Sequence, residues 1–300
     1  EAVHCEFQGK YPFWHNDGFI VRDCIFREGA RAALWYSHDL RMTDTLVEAP
    51  KMFREMDGIY LENVRIPDAE ETLWHCRNAV LKNVEVERAD YLFMHSENIR
   101  IENYRQQGNY SFQYCRNVEI RNAVIDSKDA FWNTENVTVY DSVLNGEYLG
   151  WHSRRLHLVN CKISGTQPLC YAHDLIMEHC TMADDCDLAF EYSGLHATID
   201  GPVRSVKNPR TGSVVAEGRA VMTKKANKTD RLLALIRNGR RMTLRQQLQL
   251  TAYLSVPSII AQFSSIAMQY VDASMVGHLG ANASASIGPV SYTHLRAHET

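Results

Sequence analysis

The acids in this 300-residue chain are densest at Asp184, Asp185 and Asp187. Clustered carboxylates could bind a cation, or could act as acid and base in cleaving a polysaccharide. The group falls in a predicted turn, where aspartate is common because its side chain bonds to nearby backbone. We therefore interpret these residues as solvated turn acids, and we predict no metal ion and no cofactor.

Aromatic residues form a second pattern, in two neighbouring columns of a repeat. The first column holds the tryptophans Trp14, Trp35, Trp74, Trp132 and Trp151. The next position holds polar rings, among them His75, His95, Tyr114 and His152. Neighbours in a strand point to opposite faces, so one column should face the core and the other the solvent. Exposed tryptophans would suit stacking on sugar rings, exposed histidines would form a polar groove, and two packing ladders would bind nothing.

The columns recur because the chain repeats every 19 to 21 residues. Its clearest copies are anchored at Asn98, Asn117 and Asn136, and a second Asn or Asp follows each anchor five residues later. Between the two anchors apolar residues alternate, as at Ile99 and Ile101, which predicts a short strand. A second strand is predicted after the second anchor, and a third in the aromatic run.

Such a repeat predicts an all-β fold, a parallel β-helix. One turn cannot bury its own apolar face, so consecutive turns must stack. Asparagine suits the bends because it tolerates left-handed backbone, and its amide can bond the asparagine one turn away. Ten turns about 4.8 Å apart would make a rod on the order of 50 Å long. We therefore predict that Asn98, Asn117 and Asn136 line up along the axis.

Charge and cysteine content narrow the function classes. The formal net charge of -4 favours no nucleic-acid partner. The eight cysteines form no CxxC pair and no spacing typical of zinc sites. Four of them, Cys5, Cys24, Cys161 and Cys180, share one position of the repeat. We predict reduced core thiols there, with a disulfide between adjacent turns as the alternative.

Five segments of the repeat carry a family resemblance: EAPKMFREMDGIYLENV, AEETLWHCRN, SKDAFWNTENVTVYDSVLNGEYLGWHS, LAFEYSGLHATID and SVKNP. They resemble DUF3737, a bacterial family known only as a domain of unknown function. The resemblance covers residues 1–218, with the family's amino-terminal turns missing. It implies a right-handed, pectin-lyase-like β-helix, and it implies no established activity and no catalytic residue.

Composition changes near Gly218. Residues 224–245 contain eight lysines and arginines and one acid, Asp230. The next 26 residues, Gln246 to Val271, contain no charged residue. The uncharged stretch is long enough for a transmembrane helix, and its basic flank predicts a cytoplasmic amino-terminal side. A buried helix of a soluble protein is the alternative.

The same stretch carries a second resemblance. MTLRQQLQLTAYLSVPSIIAQFSSIAMQYVDASMVGHLGANASASIG is similar to the first transmembrane segment of the MATE family of multidrug efflux transporters, with Pro257, Gln262 and Asp272 as its markers. The resemblance implies antiport of drugs or cations against Na⁺ or H⁺. One helix cannot transport, because alternating access needs two repeats that move against each other. The last residues, PVSYTHLRAHET, resemble translated adaptor sequence.

These observations predict a β-helix of residues 1–218, a basic helical linker of 219–245, a transporter-like segment of 246–288 and an artefactual tail of 289–300. We expect the β-helix to be a scaffold or binding module for a glycan or protein partner. We expect binding more than catalysis. A polysaccharide lyase or hydrolase is the alternative, and drug efflux is a third if the chain continues. The β-helix is expected in the cytoplasm and residues 246–271 in the inner membrane, if the junction near 219–223 is real.

Overall fold

The computed structural model describes residues 1–224, 228–237 and 241–277. They divide into two compact units, Glu1–Lys225 and Ala226–Thr300. The first unit is built of short strands and one 3-10 turn at Glu28–Ala30, and the second of helices. The predicted tail, residues 289–300, and the end of the transporter-like segment, 278–288, lie outside the described residues.

The strands of the first unit recur once or twice per repeat. In chain order they are β1 Ala2–Val3, β2 Glu6–Phe7, β3 Asp17–Arg22, β4 Ile25–Phe26, β5 His38–Val47, β6 Asp57–Ile66, β7 Arg77–Val86, β8 Glu97–Gln107, β9 Arg116–Asp126, β10 Glu135–Tyr140, β11 Val143–Asn145, β12 Arg154–Val159, β13 Lys162–Ser164, β14 Leu175–Met182, β15 Gly194–Ile199, β16 Thr211–Ala216 and β17 Arg219–Lys224.

Strand pairing confirms the predicted all-β coil. Each strand from β1 to β16 pairs in parallel with strands of the adjacent turns, for instance Ile99 of β8 opposite Val118 of β9. The result is a parallel β-solenoid of about 11 turns. β17 is the exception, because it returns antiparallel along β16 and so ends the stack with a hairpin. The right-handed sense of the solenoid stays a prediction.

Two asparagine ladders run along the solenoid, as predicted. In the first, each side-chain amide donates to the asparagine one turn before: Asn98 to Asn78 at 3.1 Å, Asn117 to Asn98 at 3.0 Å and Asn136 to Asn117 at 2.8 Å. All three anchors take left-handed backbone, with φ of 57°, 53° and 58°. The ladders stabilise the bends, because the asparagine side chains of adjacent turns satisfy one another's hydrogen-bonding groups.

The predicted third strand is wrong. In the aromatic run the backbone is left-handed at alternate residues, with φ of 62° at Tyr110, 60° at Phe112 and 60° at Tyr114. That sequence of torsions makes a tight corner instead of a pleated strand. In the central turns the two other predicted strands form one long strand, as in β8, which bends at the second asparagine.

The core lies inside the coil and is stacked in columns like the surface. Phe93, Phe112 and Phe131 are fully buried, and their ring centroids are 4.8 and 5.2 Å apart. All eight cysteines, which fall in the described residues 1–224, are free thiols. Cys24, Cys161 and Cys180 are buried as predicted. Cys5, which was predicted to be a core thiol, is exposed.

The second unit contains α1, Lys228–Arg237, and α2, Leu244–Gly277, which contact one another. Pro257, Gln262 and Asp272, the markers of the transporter resemblance, all fall within α2. Within residues 228–237 and 241–277, neither helix combines the length and apolar character that crossing a membrane requires. The transmembrane helix predicted over 246–271 is therefore wrong. α2 is long enough, but recurrent glutamine, serine and threonine lower its hydropathy.

Candidate functional site

The tryptophan column lies half-buried along the corner of the solenoid. Trp35 stacks on Trp14 with ring centroids 5.5 Å apart and planes 8° from parallel. Arg54 takes the tryptophan position of the next turn, and its guanidinium lies 4.6 Å from the ring of Trp35 and 4.4 Å from that of Trp74. These contacts cover the ring faces of Trp35, which are therefore not open to a sugar.

The edges of these rings are also used within the protein. The indole nitrogens of Trp14, Trp35, Trp74 and Trp151 each donate to a backbone carbonyl of the following corner, those of Ala32, Lys51, Tyr91 and Gln167 respectively. Trp132 differs from them, because its buried Nε1 has no hydrogen-bond partner among the described residues. At these four tryptophans the column fastens one corner to the next, which is a structural role.

The neighbouring column faces the solvent. His75, His95 and Tyr114 are exposed and stack in parallel, with centroid separations of 5.0 and 4.6 Å and interplanar angles of 2° and 4°. We call these three residues the polar edge. Asn133 interrupts the column, and a second stack begins with His152 over Tyr171 at 4.9 Å. Both faces of His95 are covered by its neighbours, so the polar edge offers ring nitrogens and a hydroxyl instead of ring faces.

Neither the tryptophan column nor the polar-ring column points into the core. The expectation that one of the two would face the core is therefore wrong. The interior position of this corner is taken by Leu73, with φ of 59°, and His75 two residues later has φ of 55°. Left-handed residues on both sides of Trp74 turn the chain around it. Trp74 therefore lies half-buried between the interior leucine and the exposed histidine, a geometry that strand periodicity does not describe.

A groove of about 380 Å³ opens beside the two histidines. It is lined by Glu55, Met56, His75, Arg77, His95 and Glu97. Arg77 forms an ion pair with Asp57 at 3.2 Å. Partial burial lowers the pKa of His95 below its ordinary value, and the nearby His75 and Arg116 lower it further. The pKa of His152 is lowered by burial alone. His95 is therefore neutral near pH 7 and can both donate and accept a hydrogen bond.

Sequence reasoning missed the charged residues of this groove. Glu55 occupies the polar-ring position of its own turn, and Arg54 occupies the tryptophan position beside it. Aligning the turns position by position identifies Glu55 and Arg54. The repeated aromatic residues alone do not, because neither aromatic position is aromatic in this turn.

The predicted turn acids are not gathered into a site. Asp184 and Asp185 are exposed, and Asp187 accepts a hydrogen bond from the hydroxyl of Thr166. Among the residues that the structure describes, no three His, Cys, Asp or Glu side chains are placed to hold a metal ion. A larger groove, of about 490 Å³, follows the first asparagine ladder. Its asparagine amides already bond to one another, and Arg100, Glu119 and Thr138 also line it.

Comparison with known proteins gives a family and nothing more specific. The model of a family described as "Protein of unknown function (DUF3737)" matches residues 1–236. No curated protein and no solved structure matches the chain. The matched range includes the solenoid and most of α1 and ends before residue 246, so it lends no support to the transporter resemblance.

Proposed function

Because this chain belongs to the DUF3737 family, whose function is unknown, we propose a function from its surface: the solenoid is a binding module whose polar edge binds an oligosaccharide. The observation that carries the proposal is the parallel stack of exposed rings at His75, His95 and Tyr114. A stack of this kind on a rigid coil is already ordered before a ligand arrives, which lowers the entropic cost of binding.

The orientation of the rings favours a hydroxyl-rich ligand. Stacking leaves ring edges facing outward, so His75 and His95 present nitrogens and Tyr114 presents its phenol. The centroids of these rings recur at separations of 5.0 and 4.6 Å. An oligosaccharide lying along the axis carries hydroxyls on every residue and could bond to several rings in succession. Glu55 and Glu97 add acceptors, and Arg77 adds a donor.

The charges of the groove favour a neutral glycan over an acidic one. Two carboxylates, Glu55 and Glu97, line it together with the single cation Arg77, which already pairs with Asp57. An acidic sugar would meet these two carboxylates, while the second cation near His95, Arg116, lies 4.0 Å from the carboxylate of Glu135. A protein partner is the competing occupant of the same surface.

The other predicted activities gain no supporting observation. A lyase or hydrolase would need clustered carboxylates, whereas Asp184 and Asp185 are exposed turn residues and Asp187 bonds to Thr166. The family match ends before residues 246–288, so drug efflux stays a prediction from resemblance and adds nothing to this proposal.

Calorimetry with neutral and acidic oligosaccharides tests the proposal. Substituting His75→Ala together with His95→Ala should weaken the binding of a neutral oligosaccharide roughly tenfold or more, because each lost hydrogen bond costs about 1 kcal/mol. His179→Ala together with His196→Ala is the matched control, since both are exposed histidines outside the polar edge. Binding that is equal in the two double variants, or absent from the unmodified protein, would contradict the proposal.

A further inference from the structure

The polar-ring column of the solenoid is interrupted at Asn133, between Tyr114 and His152. On the far side of each flanking ring the column is stacked, Tyr114 on His95 at 4.6 Å and His152 on Tyr171 at 4.9 Å. In the part of the chain that the structure describes, no further ring stacks parallel to Tyr114 or to His152. The interruption therefore leaves two ring faces turned toward one space, which we call the ring gap.

The ring gap has the height of one missing ring. Adjacent turns are about 4.8 Å apart, so the rings of Tyr114 and His152, two turns apart, are separated by about 9.6 Å. A flat ring midway between them would lie about 4.8 Å from each. The stacked rings of this column have the same spacing, 4.6 to 5.0 Å. Asn133 has a shorter side chain than tyrosine, and it is half-buried between two exposed rings.

The interruption of the neighbouring tryptophan column shows how the protein closes such a space itself. There Arg54 replaces a ring, and its guanidinium lies 4.6 Å from the ring of Trp35 and 4.4 Å from that of Trp74. In the same turn Glu55 interrupts the polar-ring column with a longer, charged side chain. Asn133 differs from both, because its side-chain amide forms no hydrogen bond within the described residues. The ring gap therefore keeps a free amide as well as two free ring faces.

Two ring faces and one amide are the groups that recognise a flat nitrogen heterocycle. Such a ring stacks on aromatic side chains, while its edge exchanges hydrogen bonds with an amide. The amide of Asn133 both donates and accepts, so it matches an edge that does the same. A sugar ring is puckered and would match two parallel ring faces less well. We propose that the ring gap binds one flat nitrogen heterocycle of the purine type, as in a free nucleoside, between Tyr114 and His152.

Calorimetric titration of the full chain with adenosine, guanosine, cytidine and uridine tests this proposal. The two purine nucleosides should bind more tightly than the two pyrimidine nucleosides, because a larger flat ring overlaps more of the flanking rings. Asn133→Tyr puts a ring into the gap and should weaken purine binding about tenfold or more. Tyrosine fits the backbone at this position, because Tyr114 and Tyr171 have φ of 60° and 56° in the same column, against 54° at Asn133. Thermal unfolding verifies that the variant is folded.

The matched control adds a tyrosine elsewhere on the solenoid. Thr198→Tyr, at an exposed position of β15, should bind purine nucleosides as the unmodified protein does. His152→Ala removes one wall of the ring gap and should weaken binding about tenfold. Equal binding by Asn133→Tyr and Thr198→Tyr, or no binding of any of the four nucleosides, would overturn the proposal. Binding of methyl β-glucoside that Asn133→Tyr abolishes, with no nucleoside binding, would assign the gap to a sugar ring and overturn it too. The glycan test with His75 and His95 is separate, because neither side chain lines the ring gap.

Discussion

The tryptophan column and the polar edge occupy the same corner of the solenoid with the same repeat spacing, yet they relate to the solvent differently. Trp35 has both faces covered and its indole N–H bonded to the backbone. His95 has its faces covered too, but its edge faces the solvent. Rings stack along the axis in both columns. The columns differ in where the ring edge points: the indole edge bonds to the protein backbone, whereas the imidazole edge faces the solvent.

Replacing a tryptophan should have the largest effect on stability. Trp35→Ala removes the stack on Trp14, the contact with Arg54 and the hydrogen bond to Lys51. We expect the free energy of unfolding to fall by about 3 kcal/mol, at the lower end for aromatic truncations because the ring is only half-buried. Urea unfolding measures the change. Tyr114→Ala, at an exposed position of the neighbouring column, is the control and should cost about 1 kcal/mol or less. Equal losses would show that the two columns do not differ.

Arg54 tests whether the interruption of the tryptophan column is structural. Its guanidinium lies between two indole rings, and its Nη2 approaches a carboxylate oxygen of Glu71 at 3.5 Å. Arg54→Ala should cost about 2 kcal/mol, because it removes two cation–π contacts and leaves a gap between the rings. Arg65→Ala, which removes an exposed ion pair with Glu87, is the control and should cost much less. A neutral result at Arg54 would show that its contacts with the two tryptophans do not stabilise the fold.

Two tryptophans of the column should respond differently to the same change. Trp151→Phe loses the hydrogen bond to Gln167, which should cost about 1 kcal/mol. Trp132→Phe removes a buried N–H that has no partner among the described residues, so the loss should be smaller or reversed. Thermal unfolding of the two variants side by side gives the difference. A larger loss at Trp132 would indicate that a water or a ligand bonds to that nitrogen.

Acid should weaken the fold slightly through the polar column. The pKa values of His95 and His152 are lowered in the folded state, chiefly by burial. Their contribution to stability is therefore present above the ordinary histidine pKa near 6.5 and is lost as the pH falls through the lower folded values. The fall in Tm between pH 7 and pH 5 should be smaller in His95→Gln than in the unmodified protein. A steeper fall in the variant would contradict this assignment.

Within the solenoid, the predictions drawn from the repeat spacing succeeded, and the prediction of a third strand failed. The alignment of Asn98, Asn117 and Asn136 followed from spacing, because identical side chains one turn apart can satisfy each other. The third strand failed because strand periodicity was applied to residues such as Phe112 and Tyr114 that adopt left-handed backbone. Propensity gives little warning of this, since aromatic residues seldom take positive φ.

The candidate site was predicted in part. His75, His95, Tyr114 and His152 were proposed as a polar groove, and the structure places all four on the exposed column. Glu55 was not anticipated because it interrupts the aromatic pattern, and Glu97 was not because it lies outside the aromatic columns, at the start of β8. The stacking of the rings could not be inferred from spacing alone, because the side-chain torsions decide whether a ring shows its face or its edge.

The sequence by itself determined the period of the coil, the positions of its polar bends and the columns that run along it. The physical reason is that a solenoid buries its core only when every turn repeats the same pattern of apolar and polar residues. The tertiary structure decided which column fastens the corners and which faces the solvent. That choice depends on left-handed torsions at alternate corner residues and on contacts with adjacent turns, and neither is encoded in the spacing of residue types.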